Sequence, residues 1–506
     1  MSPHTAITKP FDPAPKPGLR MENFRKICPN GLGDGHNSYP HSMAWFKEKL
    51  YLGTTRSNMC MLKLQSAFAQ LEMSIWPVEC PDTLEGLYQI DRRAQIWSYE
   101  PITNMWQQVL RAPLIEGVDG KPVTREIGYR SMTVFQGCSD PEPALYVSNW
   151  APGRALGGML LRSTDGERFA PATDYGILGL PIQTTRTLAA FQERLFFSPT
   201  ARKGSDGGQQ NTSGLPIIYE SANPVGGQWR ETNLPGFGDP GNQGIFTLAI
   251  FNDQLYAGTF NLTGYQVWRS PCVGEPPYQW TKVIDQGAFR GPLNQAVASM
   301  HVFKNALYIG SGIQGGGHDR INNIGPDAAE LIRVLPDDTW DLIVGDPRVT
   351  PQGYKNTLSG FSPGFGNFFN GYFWCIQSHD GWLYLGTYDW SVNLSWVSFE
   401  KASPRIRQFI DQISVGKLVE SQGGFDLWRS WDGENWLPLS RTGFGNPYNW
   451  GVRNMVSTPY GLFVGTANVF APKVAVRNNG GWKYVDNPRG GLEVWLGSPT
   501  ITERCG

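Results

Sequence analysis

The sequence predicts an all-β fold, a seven-bladed β-propeller of four-stranded blades, from three observations. One phrase recurs seven times, a second phrase follows it, and a segment near the N-terminus completes the last copy. Composition agrees with this. Glycine is 60 of 506 residues, about 12% against a usual ~7%, and charged residues are 17% against about 25%. Abundant glycine and aromatic residues with few charges describe short strands and tight turns, and exclude a helical bundle. At roughly 100–200 residues per domain the length alone would suggest three or four domains. Repetition instead implies one domain over residues 21–506, because a propeller grows by adding units.

The first phrase reads small residue, Met or Leu, apolar pair, turn, Leu-Tyr, apolar, Gly-Thr. It occurs as SMAWFKEKLYLGT from Ser42, SMTVFQG…ALYVSN from Ser131 and TLAAFQERLFFSPT from Thr187. TLAIFNDQLYAGT from Thr247, SMHVFKNALYIGS from Ser299, CIQSHDGWLYLGT from Cys375 and NMVSTPYGLFVGT from Asn454 complete the set. Alternating apolar positions around a short polar turn make each copy a hairpin.

The second phrase, apolar pair, Arg-Ser, turn, Trp, supplies another hairpin. Its clearest forms end at Phe169, Trp280 and Trp436, and weaker forms end at Trp106, Trp229 and Trp340. Two hairpins per unit make a four-stranded blade. The seventh copy breaks off after LEVWLG at Trp495. Phe24-Arg25-Lys26-Ile27, followed by NGLGDGHN, matches the end of other units and is expected to close the last blade, leaving no open seam.

Forty-three basic and 44 acidic residues give a net charge of −1, which offers no field for nucleic acid or other polyanions. No apolar run approaches the ~18 residues of a membrane span. Residues 1–20, rich in Pro and Lys, are expected to be a disordered leader without the apolar core of a secretory signal. The seven cysteines are scattered without a CxxC pair, so neither a disulfide framework nor a zinc site is expected. A cytoplasmic, reducing environment follows from that reading. The six histidines show no HxH or HExxH spacing, and no P-loop, dinucleotide fingerprint or GxSxG elbow occurs. No cofactor or metal is expected, and oligomeric state is open.

Two sets of loops on one face mark a candidate site. Two positions before each repeat's Met or Leu stand His41, Arg130, Arg186, Phe246, Ala298, Trp374 and Arg453. Three arginines and a histidine at equivalent innermost positions would crowd near one axis, which is costly unless they are paired or bind an anion. The loops after each GT strand add Arg56, Trp150, Arg154, Arg202, Asn261 and Tyr388-Asp389-Trp390. The insertions 54–86 and 390–422 are longer than turns require and carry apolar residues at helical spacing, in MCMLKLQSAFAQLEM and PRIRQFIDQISVGKLVE. They are expected over the same face, as a lid on a funnel for a partly apolar small molecule, with a dimer interface as the alternative. His318-Asp319 in GGGHD reads as structural.

SxDGxxW/F at Ser163–Phe169 and Ser430–Trp436 resembles the Asp-box repeats of many propellers, in which Asp165 and Asp432 would cap a turn. YLGTTR at Tyr51–Arg56, YLGTYDW at Tyr384–Trp390 and FGNPYNWG at Phe444–Gly451 carry a further resemblance. Together with the blade phrases over residues 21–506 they resemble an uncharacterised bacterial propeller family and, distantly, the propeller of the cylindrocyclophane-forming alkylating enzymes of cyanobacteria. Those enzymes join alkyl chlorides to resorcinol rings. The GGxGxDxxx calcium-binding repeats of that family do not occur in this sequence. The resemblance implies Arg56 and Tyr448 as donors to a departing halide and Asp389 as the base on a phenol. Trp150, Trp374 and Trp390 would form the walls of the funnel, with His41, Arg130, Arg186 and Arg453 binding substrate. A hydrolase or lyase with the arginines as a carboxylate clamp, and a propeller that binds a protein partner, are the other functional classes.

Overall fold

Each copy of the first phrase folds into a hairpin. In the first, Asn37–Phe46 pairs antiparallel with Lys49–Arg56, turning through Lys47 and Glu48, both at positive φ. Turns of this hand match the twist of the flanking strands. Gln95–Glu100 and Met105–Arg111 add the third and fourth strands in sequence order. The computed structural model describes residues 17–64, 73–202, 214, 216–398, 400, 408, 412 and 414–499, with only the backbone of 201 and 202. It is all-β, dominated by large antiparallel sheets.

The same four-strand meander recurs from Gly128–Phe135, Ile182–Phe191, Asn242–Phe251, Ala296–Phe303 and Asn370–His379. The last, from Gly451–Thr458, takes its outermost strand from the N-terminus. Phe24–Lys26 pairs antiparallel with Glu493–Gly497, Phe24 opposite Gly497 and Lys26 opposite Trp495. The long first strands stand beside one another in chain order, and the last stands beside the first. At that seam Asn454 donates to the Pro40 carbonyl at 2.6 Å. A Cβ on Gly465 would come within 2.7 Å of the Pro40 side chain, so the glycine of the Gly-Thr phrase permits this approach.

The core lies between adjoining meanders. Phe251 and Tyr256 of the fourth, for example, pack with Leu307, Ile332 and Trp340 of the fifth. Trp106 donates to the Ile27 carbonyl at 2.9 Å and Trp280 to that of Thr232 at 3.0 Å, which ties outer strands to their neighbours. Asp165 accepts the backbone N–H groups of Glu167 and Arg168, and Asp432 those of Glu434 and Asn435, as turn caps.

The loops entering the first strands are set by an asparagine clamp. Asn37 donates to the carbonyl of Gly31, itself left-handed at φ 61°, and to Gln95. Asn242, Asn294, Asn370 and Asn449 repeat the bond to Gly236, Gly287, Gly364 and Gly443 at 2.9–3.0 Å. Their second acceptors are Gln266, Glu330, Asp426 and Glu493.

Two expectations are corrected. The packed chain begins before residue 21: Leu19 is buried, its N–H donates to Tyr384 Oη, and its carbonyl accepts Arg429 Nη1 at 2.6 Å. Residues 1–16 lie outside the described residues. The cysteines are also not all free, because Cys60 and Cys80 form a disulfide, which removes the support for a reducing environment. It bridges two segments separated by 20 positions in the first insertion, a pairing that spacing alone does not reveal.

Candidate functional site

Seven residues at one repeat position reach one place because each occupies a β-bulge. In the first meander Pro40 pairs with Thr54 and Ser42 with Gly53, which leaves His41 without a residue opposite. The same skip isolates Arg130, Arg186, Phe246, Ala298, Trp374 and Arg453. A bulge takes the extra residue out of the ladder and re-aims its side chain. All seven line one inner chamber of about 160 Å³, together with Tyr39, Trp150 and Tyr372.

The inner chamber continues into an outer one of about 490 Å³. Leu62, Gln314, Gly315, Gly316, Tyr388 and Trp450 belong to both and form the neck. A Cβ on Gly316 would lie 2.6 Å from the Tyr388 ring, so backbone stands directly against the aromatic face. The outer walls are largely apolar, with Met59, Met73, Trp76, Phe260, Trp390 and Val397.

Both insertions cover this region and meet each other. The helix Asn58–Lys63 supplies Met59 and Leu62, and the disulfide ties it to the strap that carries Met73 and Trp76. Met73 bridges Val397, and Ser74 donates to the Trp396 carbonyl at 2.8 Å. A hairpin, Lys473–Asn478 with Gly481–Asp486, supports both: Ala475 donates to Pro77, Trp396 donates to the Ala475 carbonyl, and Tyr484 donates to Trp76. The helix expected from the second insertion is described over Val415–Gln422. The rest of that helical stretch apart from 408, 412 and 414, and 65–72 of the first, lie outside the described residues.

The inner chamber is electropositive. Arg186 stacks on Phe246 at 4.1 Å, Arg130 on Trp150 at 5.3 Å and Arg453 on Trp374 at 5.2 Å. Arg130 also donates to Thr200 at 3.2 Å. Arg186 Nη1 and Arg453 Nε are buried without a hydrogen-bond partner, and no described carboxylate pairs with either residue. Burial lowers all three, taking Arg186 to about 9, and repulsion from Arg453 adds to the fall for Arg130 and Arg186. His41 is pushed well below its ordinary range by burial and by the three arginines, so it is neutral. Its Nδ1 is bonded to Thr55 Oγ1.

The three residues assigned to halide displacement and proton transfer do not join this cluster. Arg56 is buried and spent on Asn37 Oδ1 and Asp34 Oδ2, both at 2.8 Å, and on the Asp91 carbonyl. Tyr448 lines a separate cavity with Trp396 and Trp482 and packs at a tilt against Phe470, ring centroids 5.5 Å apart. Asp389 is fully buried, accepting from Asn367 Nδ2 at 3.0 Å and from Ser391. Trp390 lines the outer chamber; Arg154 faces Glu85 and Tyr88 instead, and the Arg202 side chain lies outside the described residues. Asn261 donates to Asn242 as part of the clamp. Among the described residues no three His, Cys, Asp or Glu side chains gather as metal ligands, and no helix is long and apolar enough to cross a membrane.

The sequence reading missed two contributors. The loop between Gly312 and Leu331 places His318, Asp319, Arg320 and Asn322 on the outer wall, and its length was the available signal. The hairpin at 473–486 lies within the seventh unit, where a long gap separates GLFVGT from LEVWLG.

Asp389 has a titration of its own. Burial, helped by the Asp426 carboxylate, pushes it up from 3.8 to about 7 against the donors that lower it. In the matching place Arg56, Asn261 and Asn468 donate to the clamp asparagine's Oδ1, whereas Asn370 Oδ1 has no partner. With its folded value above the unfolded one, Asp389 contributes stability below pH 4 that is lost as pH rises through 7. Asp389→Asn is therefore expected to raise the melting temperature at pH 8 by a few degrees, about 2 kcal/mol, with a smaller difference at pH 4.5. Thermal melts of both proteins across this range check it, and a destabilised variant at pH 8 would contradict it.

No family model matches the chain, and no curated protein sequence matches it. Among solved structures, a GH74 enzyme of Niastella koreensis is 12% identical over 82% of this chain and 46% of its own, with a TM-score of 0.41. A puromycin hydrolase is 9% identical over 92% of this chain and 55% of its own, with a TM-score of 0.42. The chain thus spans about half the length of each. A nidogen–laminin complex is similar at 11% identity and a TM-score of 0.30 over 59% of this chain and 83% of its own. These likenesses carry no argument about activity.

Proposed function

We propose that the protein acts on an amphipathic anionic small molecule, held with its charged end on Arg186 and Arg453 and its apolar body in the outer chamber. The observation that carries this reading is two guanidiniums with no carboxylate partner at the base of a covered aromatic cavity. Desolvated cations of this kind are stabilised by an anion that brings the missing charge. The same reading takes the ring of meanders as a seven-bladed propeller closed by Phe24–Lys26, supported by the pairing of that strand with Glu493–Gly497.

A hydrolase or lyase of an anionic substrate fits these walls better than aromatic alkylation, because Arg56, Asp389 and Tyr448 are engaged elsewhere. The half-buried imidazole of His318 is the proton acceptor in that reading, since burial first and Arg320 second lower its pKa and keep it neutral.

Tryptophan emission reports binding, because Trp76, Trp150, Trp374, Trp390 and Trp450 all line the chambers. Decanoate is expected to change it saturably, and decanol at least tenfold more weakly. Arg186→Ala and Arg453→Ala should each weaken decanoate by about tenfold or more, the scale of one charge-assisted contact. Equal binding of alcohol and acid, or no saturation by either, would overturn the reading.

A further inference from the structure

The inner chamber holds more positive charge than one carboxylate balances. Arg186 and Arg453 alone bring two charges with no described counter-charge, and Arg130, which donates to Thr200 and lies over Trp150, lines the same chamber. His41, which could bring no negative charge, is neutral. A carboxylate bound here would leave at least one guanidinium uncompensated in a desolvated space, which is the costly arrangement.

Geometry narrows the ligand further. The arginines come from the second, third and seventh meanders, so with His41 of the first they line one arc of the chamber and reach a head group from different angles. Each is backed on one face by an aromatic ring, which directs its N–H edges away from that ring. A planar carboxylate offers two oxygens in one plane. A tetrahedral group with three terminal oxygens offers one to each of three convergent donors. The chamber's volume, about 160 Å³, holds a head group and little more, and the neck at Gly315, Gly316 and Tyr388 leads the remainder into the apolar outer chamber.

We propose that the head group is a phosphate monoester, a dianion with three terminal oxygens, carried on an apolar chain or ring. This rests on the reading of the cavity as an amphipathic-anion site and specifies its ligand. Nothing in the proposal requires the phosphate to react. The arginines hold it, and any chemistry would fall on the part lying in the outer chamber.

The test compares four probes at pH 8 by calorimetry: decyl phosphate, decyl sulfate, decanoate and inorganic phosphate. Decyl phosphate is expected to bind at least tenfold more tightly than decanoate. Decyl sulfate has three terminal oxygens but one charge, and should fall near decanoate. Inorganic phosphate should bind more weakly than decyl phosphate and compete with it. Arg186→Gln and Arg453→Gln, with melting temperatures checked against wild type, should each reduce the phosphate-over-carboxylate preference to less than threefold. If decanoate binds as tightly as decyl phosphate, or decyl sulfate matches decyl phosphate, the dianion assignment is wrong and the amphipathic-anion reading stands. If neither decanoate nor decyl phosphate binds, both readings fall together.

Discussion

Deletion of residues 1–28 is expected to abolish a cooperative melt or lower its midpoint sharply, while deletion of 1–16 removes none of the contacts involved. The difference isolates residues 17–28. Within them Leu19, Phe24 and Ile27 are buried, Phe24 against Phe444 at 5.3 Å. Burial of such side chains contributes about 1.5–3 kcal/mol each. Three of them sum to a large share of the roughly 5–15 kcal/mol that holds a domain folded. Loss of the strand also exposes the edge of Glu493–Gly497, which then offers unpaired backbone groups to other chains. The measurement is calorimetry with light scattering on both truncations. Matching midpoints for the two would sink the argument.

Arg56→Ala carries the second large effect, and it falls on stability rather than turnover. The guanidinium is 1% exposed and bridges Asp34, Asn37 and the Asp91 carbonyl. Truncation strands a buried amide oxygen and a carbonyl, and releases Asp34, whose pKa the arginine lowers against burial. Removing one member of a buried charged network costs about 3 kcal/mol, toward the lower end of the usual range because Asp34 is partly exposed. Arg56→Asn should recover part of the loss, since Asn261 and Asn468 make the same bond to their clamp asparagines. Denaturant unfolding of the three proteins decides it. A fully stable Arg56→Ala protein that has lost only activity would restore a chemical role to Arg56.

The repeat made equivalence legible in the sequence, and equivalence was enough to bring His41, Arg130, Arg186 and Arg453 to one chamber. What could not be read was why they face it. The bulge that frees each of them is a one-residue slip in pairing, and an alternating pattern of apolar positions does not record a slip. Arg56 and Asp389 misled for a related reason. They follow the same Gly-Thr phrase as Asn261 and Asn468; Arg56 bonds its clamp asparagine as those two do, whereas Asp389 stands at the matching place and accepts from Asn367 and Ser391. A charged residue at a strand end reads identically whether it meets solvent, ligand or a buried amide. The disulfide joins two segments of one insertion, and the 473–486 hairpin docks on residues of both insertions, and neither contact is contained in a local pattern.

Part of the neck, at Gly315 and Gly316, is main chain, which side-chain motion cannot relax. Rotamers interconvert quickly and let most cavities stretch to a guest. Here one wall is main chain, held where the Gly316 N–H donates to Tyr372 Oη at 2.9 Å. The bore therefore behaves as a gauge. Head groups of different girth are expected to cross it at different rates, whatever their affinity for what lies beyond. Selection by such a gauge is written in arrival rates before it is written in equilibria, and two ligands with equal dissociation constants can differ in how often they get through.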